Sequence, residues 1–284
     1  MQQALIPDHF QLRRLPFSQE IEAQALYKFR SFAQGEKRLE QGAHQRGMVL
    51  VAGEPGAGKT ALARHFCHRL ASSTYKILYT PTPMVKSPLR PVVEDLLTQV
   101  GEKIPFNNAA RGMTALRDAL GRLSEQGTLP IVILDDVHHL NETAWLQLKT
   151  LTNYEMDSQM PLMMILLGTR EELFSILSWN RLAEIRSRLA FCYHLKGLEK
   201  DETEPYLKAH LKWAGCDRAL FPKEIADDIH QRTQGLPRLI NRLAYSCLMA
   251  AACDRKDLVD GPCLDQAMSE HLFTNTGQRK ESKR

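Results

Sequence analysis

The sequence is poor in several things that would announce a function class. Aromatic residues make up only 7% of its 284 residues. No strongly apolar run approaches the roughly twenty residues that a membrane-crossing helix needs. The longest, 160–168, already contains Pro161, so no membrane span is expected. The amino end lacks the basic-then-apolar layout of a secretory signal. The six cysteines, at 67, 192, 216, 247, 253 and 263, form no CxxC pair and have no CxxxH partner nearby. That argues against a zinc site or disulfide framework and for a reducing cytoplasm. A large excess of one charge is missing too: 37 basic residues face 33 acidic ones, for a net +4. Residues 279–284 hold four of the basic side chains beside Glu281, and such an end reads first as a solvated terminus. Charge alone therefore does not point to nucleic acid. What remains is a folded chain, 43% hydrophobic and 25% charged, with material for one large or two modest domains.

Short apolar runs alternate with longer amphipathic ones over 47–196. Strands are expected near 47–52, 76–80, 131–134, 162–167 and 191–195. Helices are expected at 60–70, 92–100, 113–125 and 142–151, with Asn141 as the cap of the last. Continuous apolar strands separated by helices predict a parallel sheet covered on both faces. After Gly197 only helical patterns remain, at 201–214, 222–233, 236–254 and 262–272. Pro222 and Pro262 suit first turns there, and Gly215 and Gly235 suit helix ends. The expected architecture is an α/β domain followed by a small all-α one.

The strongest motif is Gly53-Glu54-Pro55-Gly56-Ala57-Gly58-Lys59-Thr60, followed by Ala61. It matches GxxxxGK[ST] between an expected strand and an expected helix, the context this motif requires. Its glycines let backbone N–H groups curl around phosphate oxygens, and the helix turns its positive end toward the same anion. Lys59 is expected on the β- and γ-phosphates of ATP and Thr60 on Mg²⁺. Downstream, Asp135 and Asp136 close the apolar strand 131–134, at the edge where ligands of parallel sheets gather. Asp135 is expected in the Mg²⁺ shell and Asp136 on the attacking water. His138 and His139 are adjacent and point different ways, so they read as ordinary polar side chains rather than metal ligands.

These residues resemble the AAA+ ATPases. More narrowly they are similar to the bacterial group that contains the ExeA secretion ATPase and the transposition ATPases TniB, TnsC, IstB and MuB. Two segments carry the narrower likeness. Phe10-Gln11-Leu12-Arg13-Arg14-Leu15-Pro16-Phe17 is like the group's F-x-L-x-x-x-P-F segment. Gly235-Leu236-Pro237-Arg238-Leu239-Ile240-Asn241 is like its G-x-P-R-x-I-N signature. The resemblance implies a P-loop AAA+ parallel sheet sandwiched by helices, with a small all-α lid domain after it. The implied domains are an amino-terminal segment 1–30 packing on the ATPase core, the nucleotide-binding domain 31–197, the lid 198–273 and a basic flexible tail 274–284. It also implies that segment 10–17 lies beside the adenine and that Asp136 stands where most members have glutamate. One methylene shorter, Asp136 favours slow, assembly- or DNA-stimulated hydrolysis. Thr169 falls at the polar sensor position and Arg238 at the lid sensor. Arg188 aligns best with the arginine offered to a neighbouring subunit, with Arg186 in reserve.

Three functions are compatible with that resemblance. The first is an ATP-controlled regulator of DNA transposition. It would oligomerise as a ring, spiral or filament on double-stranded DNA and recruit a transposase, alone or with a target-selection protein. Lys86, Arg90, Lys103 and Arg111 are its candidate DNA contacts, reaching the backbone with little regard to sequence. The second is a secretion ATPase like ExeA, which the resemblance implies would continue past the lid into a membrane span. The third is a DNA-remodelling loader. The end at Arg284, without an apolar segment, favours the first as the expectation.

Overall fold

The burial of each strand follows from its place in the sheet. In the computed structural model, residues 5–18, 20–103, 109–152 and 160–270 are described. In chain order they form α1 (Leu5–Phe10), α2 (Arg30–Gln45), β1 (Met48–Gly53), α3 (Lys59–His68), β2 (Tyr75–Pro81), α4 (Arg90–Val100), α5 (Ala109–Glu125), β3 (Leu129–Asp135), α6 (Glu142–Thr152), β4 (Met163–Thr169), α7 (Arg170–Leu177), α8 (Ala183–Arg188), β5 (Leu189–Leu195), α9 (Lys200–Trp213), α10 (Lys223–Thr233), α11 (Pro237–Cys253) and α12 (Gly261–Glu270). The five strands run parallel in the order β2-β3-β4-β1-β5. β1 and β3 are buried at every position, whereas β2 and β5, at the edges, mix buried and exposed ones. This is the pattern of a parallel sheet with helices on its faces.

Two compact units divide the chain: Phe32–Leu195, and the described residues of Met1–Ser31 with Lys196–Arg284. In the first, one core joins Leu50, Val132, Leu134, Met164 and Leu166 of the sheet to Leu96, Leu116, Trp145 and Leu148 of the helices. Each such aliphatic side chain, fully buried, contributes about 1.5–3 kcal/mol. Helix α2, absent from the sequence expectations, lies very close to its neighbours. A Cβ on Gly42 would stand 2.4 Å from Val49 Cγ2, and one on Gly35 2.7 Å from Leu62 Cδ2.

The second unit is helical. Helix α9 opens with a capping box, in which the Glu199 N–H donates to Glu202 Oε2 at 2.9 Å. The Arg30 N–H donates to the other Glu202 oxygen at 2.6 Å, and its guanidinium pairs with Glu199 and Asp201. The turn into α11 has Gln234 and Gly235 both left-handed, with φ of 52° and 72°. Gly235 O accepts the Leu198 N–H at 2.8 Å, and Asn241 Oδ1 accepts the Tyr206 hydroxyl at 2.7 Å. The Gly and Asn of the G-x-P-R-x-I-N segment thus hold α11 to the segment before α9 and to α9 itself.

The amino-terminal segment, expected on the nucleotide-binding domain, finds its partners in this helical unit. Ile6 and Phe10 are buried, α1 packs on α11, and the Arg13 N–H donates to Ala214 O at 2.8 Å. Phe17 stacks on His210 with ring centroids 5.2 Å apart. The physical cause is the apolar anchors, which bury in the helical core. The expected tail 274–284 lies outside the described residues.

His210 is only 2% exposed, with the Tyr206 ring 4.5 Å away on another side, and burial pushes its pKa down to about 4. Folding therefore favours the neutral imidazole. Its stabilising contribution is complete above the unfolded value of about 6.5 and is lost as pH falls from there toward about 4, by roughly 3 kcal/mol in all. Thermal melts at pH 7.5 and 4.5 check this: His210→Leu should show a distinctly smaller acid-induced drop than the wild-type chain.

Candidate nucleotide site

The strand register sets the site. Gly53, the last residue of β1, pairs with Thr169, the last of β4, and Asp135 ends β3 on the other side of β4. Three carboxyl ends on neighbouring strands thus meet at one edge of the sheet. Beyond Gly53 the chain turns through residues 54–58 into α3. Gly58 has φ +100°, a conformation costly for any residue with a Cβ, and no atom lies within 4 Å of where that Cβ would stand. No side chain caps α3. Its first-turn N–H groups have no acceptor within the helix, so its amino end meets the loop with the positive end of its dipole uncapped.

Lys59, 9% exposed, donates from Nζ to Gly53 O at 2.9 Å and to Glu54 O at 3.2 Å. Its ammonium is thereby held inside the turn of the loop. The Thr60 hydroxyl donates to Asp135 Oδ2 at 2.7 Å, which brings together two residues 75 positions apart. The Tyr79 hydroxyl reaches the same oxygen at 3.3 Å. Burial, with the Asp135 charge beside it, holds the Tyr79 phenol above its ordinary pKa. Asp136 follows at φ 52° and is exposed, its N–H donating to Asp135 Oδ1 at 2.9 Å. Left-handed backbone is tolerated better by aspartate than by most residues.

This donor set fits a nucleoside triphosphate with a divalent cation. Backbone amides at a helix start and a lysine suit phosphate oxygens, while a hydroxyl beside a carboxylate offers the hard oxygens that Mg²⁺ takes. Gly53, Lys59, Thr60, Asp135 and Thr169, all expected at the site, converge in one unit.

Other expected residues differ in their surroundings. Arg186 donates to the carbonyls of Leu177 and Trp179, closing the end of α7. Its guanidinium is thus engaged by its own chain's backbone. Arg188, half-buried, reaches Thr152 Oγ1 at 3.4 Å. Arg238 is exposed on the first turn of α11, in the helical unit. Of the candidate DNA contacts, Lys86 is exposed in left-handed backbone after Met84 and Val85, which are 57% and 69% exposed. Arg90 pairs with Glu94 at 2.6 Å. Lys103 is exposed just past α4, and Arg111 is exposed on the first turn of α5. His138, expected as an ordinary polar side chain, accepts the Thr169 N–H at Nδ1 at 3.3 Å, a contact that residue type and spacing do not signal.

A family model described as an AAA domain matches residues 41–177. General secretion pathway protein A of Aeromonas hydrophila is 30% identical over 249 residues, covering 85% of this chain and 44% of that protein. The chain spans less than half the length of the curated relatives it matches. The Aeropyrum pernix ORC2 protein, solved as ADPNP-ADP complexes, superposes with a TM-score of 0.71 at 16% identity, over 95% of this chain and 74% of that one. The ORC1 protein of the same organism, solved in complex with DNA, gives 0.64 at 18% identity, over 84% and 64%. At such identities the likeness establishes the fold, which is the P-loop AAA+ fold.

Lys59→Ala removes the ammonium from the loop. Losing a charge-assisted hydrogen-bonding group costs about 1.5–3 kcal/mol, so ATP should bind about tenfold to a hundredfold more weakly. A titration with fluorescent ATP, at unchanged melting temperature, checks this.

Proposed function

We propose that this AAA+ chain is an ATP-hydrolysing switch that assembles on duplex DNA in the cytoplasm and regulates transposition by recruiting or activating a transposase. The observation that carries the nucleotide half is the 2.7 Å contact of Thr60 with Asp135 beneath the phosphate loop. Lys59 and the backbone N–H groups of the loop 53–61, which Pro55 lacks, grip the triphosphate. Thr60 and Asp135 would hold Mg²⁺, which when bound neutralises charge on the β- and γ-phosphates. Asp136 takes the proton of the attacking water, and Thr169 orients that water from the end of β4. Arg188 serves a neighbouring copy's γ-phosphate, Arg186 fixes the turn that presents it, and Arg238 acts as the lid's sensor. Hydrolysis is slow because the aspartate reaches less far than a glutamate, and it weakens the assembly.

The DNA half is supported by the fold shared with the ORC1 protein solved in complex with DNA. It is also supported by the exposed cations Lys86, Lys103 and Arg111 on and around the helices that follow β2. Arg90, paired with Glu94, is the fourth candidate. Contacts of this kind go to backbone phosphates, so binding is salt-sensitive and tolerant of sequence. A target-selection protein and the transposase are the protein partners of this reading. A second reading, a secretion ATPase, is favoured by the identity with general secretion pathway protein A.

Fluorescence anisotropy with random-sequence duplex DNA separates the two. Binding should require ATP, weaken steeply with salt, be lost in Lys59→Ala, and weaken severalfold in Lys86→Glu. ATP binding with no affinity for DNA in any nucleotide state would reject the DNA reading in favour of the secretion one.

A further inference from the structure

His138 links two strands of the candidate site. It lies in the 3-10 turn Val137–His139 that follows Asp136, with its side chain 7% exposed. Its Nδ1 accepts the Thr169 N–H at 3.3 Å, and its Nε2 lies 3.1 Å from Glu172 Oε2 on the first turn of α7. A neutral imidazole that accepts at Nδ1 carries its proton on Nε2, and the Glu172 carboxylate is placed to receive it. Burial lowers the His138 pKa, while the opposing pull of Glu172 is weaker. The ring is therefore neutral at neutral pH, the form this arrangement needs. Gly168 leaves room for the ring: a Cβ there would stand 3.0 Å from Nδ1 and 2.9 Å from Leu173 Cδ1. The His139 ring lies alongside, with centroids 4.2 Å apart.

We propose that His138 is a positioning residue for hydrolysis, using its Nδ1 to hold the end of β4 in register with the acidic turn so that Thr169 and Asp136 face one water. This rests on the ATP-hydrolysis reading above. His138 acts through the Thr169 backbone. The hydrogen bond joins the residue that ends β4 to a turn two residues past Asp136, two segments separated by α6. A slack joint there leaves the phosphate loop intact and misplaces the groups around the γ-phosphate. Displacements of about an ångström at a reacting centre cost on the order of a hundredfold in rate.

The test separates turnover from binding. His138→Leu keeps bulk and removes the acceptor, while His138→Asn returns an acceptor oxygen near the position of Nδ1. The expected result for His138→Leu is a kcat lowered about tenfold to a hundredfold, with the KM for ATP and the affinity for fluorescent ATP unchanged. His138→Asn should recover most of the loss. A wild-type kcat in His138→Leu, or a loss of ATP affinity in step with kcat, overturns the proposal. A second readout needs no nucleotide: long-range ¹H–¹⁵N spectra of the wild-type chain should show Nδ1 of His138 unprotonated, and the Thr169 amide should shift in His138→Leu. A protonated Nδ1 overturns the proposal by itself. Hydrolysis by the wild type compared with Lys59→Ala is the control. If the two are equally inactive, it is the hydrolysis reading that has failed, and the spectra still decide whether His138 holds Thr169.

Discussion

Thr60 and Asp135 lie 75 residues apart, and their 2.7 Å hydrogen bond exists because β1 and β3 flank β4 in parallel and end at the same edge of the sheet. Parallel strands cannot be joined by tight turns; each connection crosses over the sheet and returns. Every loop that follows a strand therefore opens at the same edge. The phosphate loop leaves β1 there, Asp135 closes β3 there, and Thr169 closes β4 between them. The core of the unit maintains this register, since a strand that slid by one residue would exchange the side chains of its two faces.

Much of that arrangement is legible in the sequence because it is written in short, local rules. A fully buried strand needs an unbroken apolar run, and 48–52, 131–134 and 163–167 supply it. GxxxxGK[ST] needs its glycines, lysine and hydroxyl within eight positions. What escapes the sequence is structure stabilised from a distance. Helix α2 carries Gly35 and Gly42, which read as poor helix formers yet permit its close approach to Leu62 and Val49. Helix α7 has eight residues, too few to be stable alone, and forms because Leu173, Ile176 and Leu177 bury against the core. The amino-terminal segment carries apolar anchors, but nothing in its own residues says which unit receives them.

The site shows the same division. Residue type and position give Lys59, Thr60 and Asp135, and the family resemblance gives Thr169. Geometry alone gives the left-handed backbone of Asp136, the engagement of Arg186 with carbonyls of its own chain, and the hydrogen bond from the Thr169 N–H to His138. A histidine beside another histidine carries no pattern to distinguish a buried acceptor from a surface side chain. Only the distance to the Thr169 N–H does so. The function follows the same gradient: the fold and phosphate loop point to nucleotide chemistry, while the polymer or partner acted upon belongs to the proposal.

The central claim is that Thr60 and Asp135 form the cation-holding half of a triphosphate site. Its most direct test is ATP affinity by calorimetry, with and without Mg²⁺, for the wild-type chain, Thr60→Val and Asp135→Asn. The account predicts that Mg²⁺ strengthens ATP binding in the wild type and that the gain largely disappears in both variants, while binding of metal-free ATP persists. An equal gain from Mg²⁺ in all three proteins would contradict it.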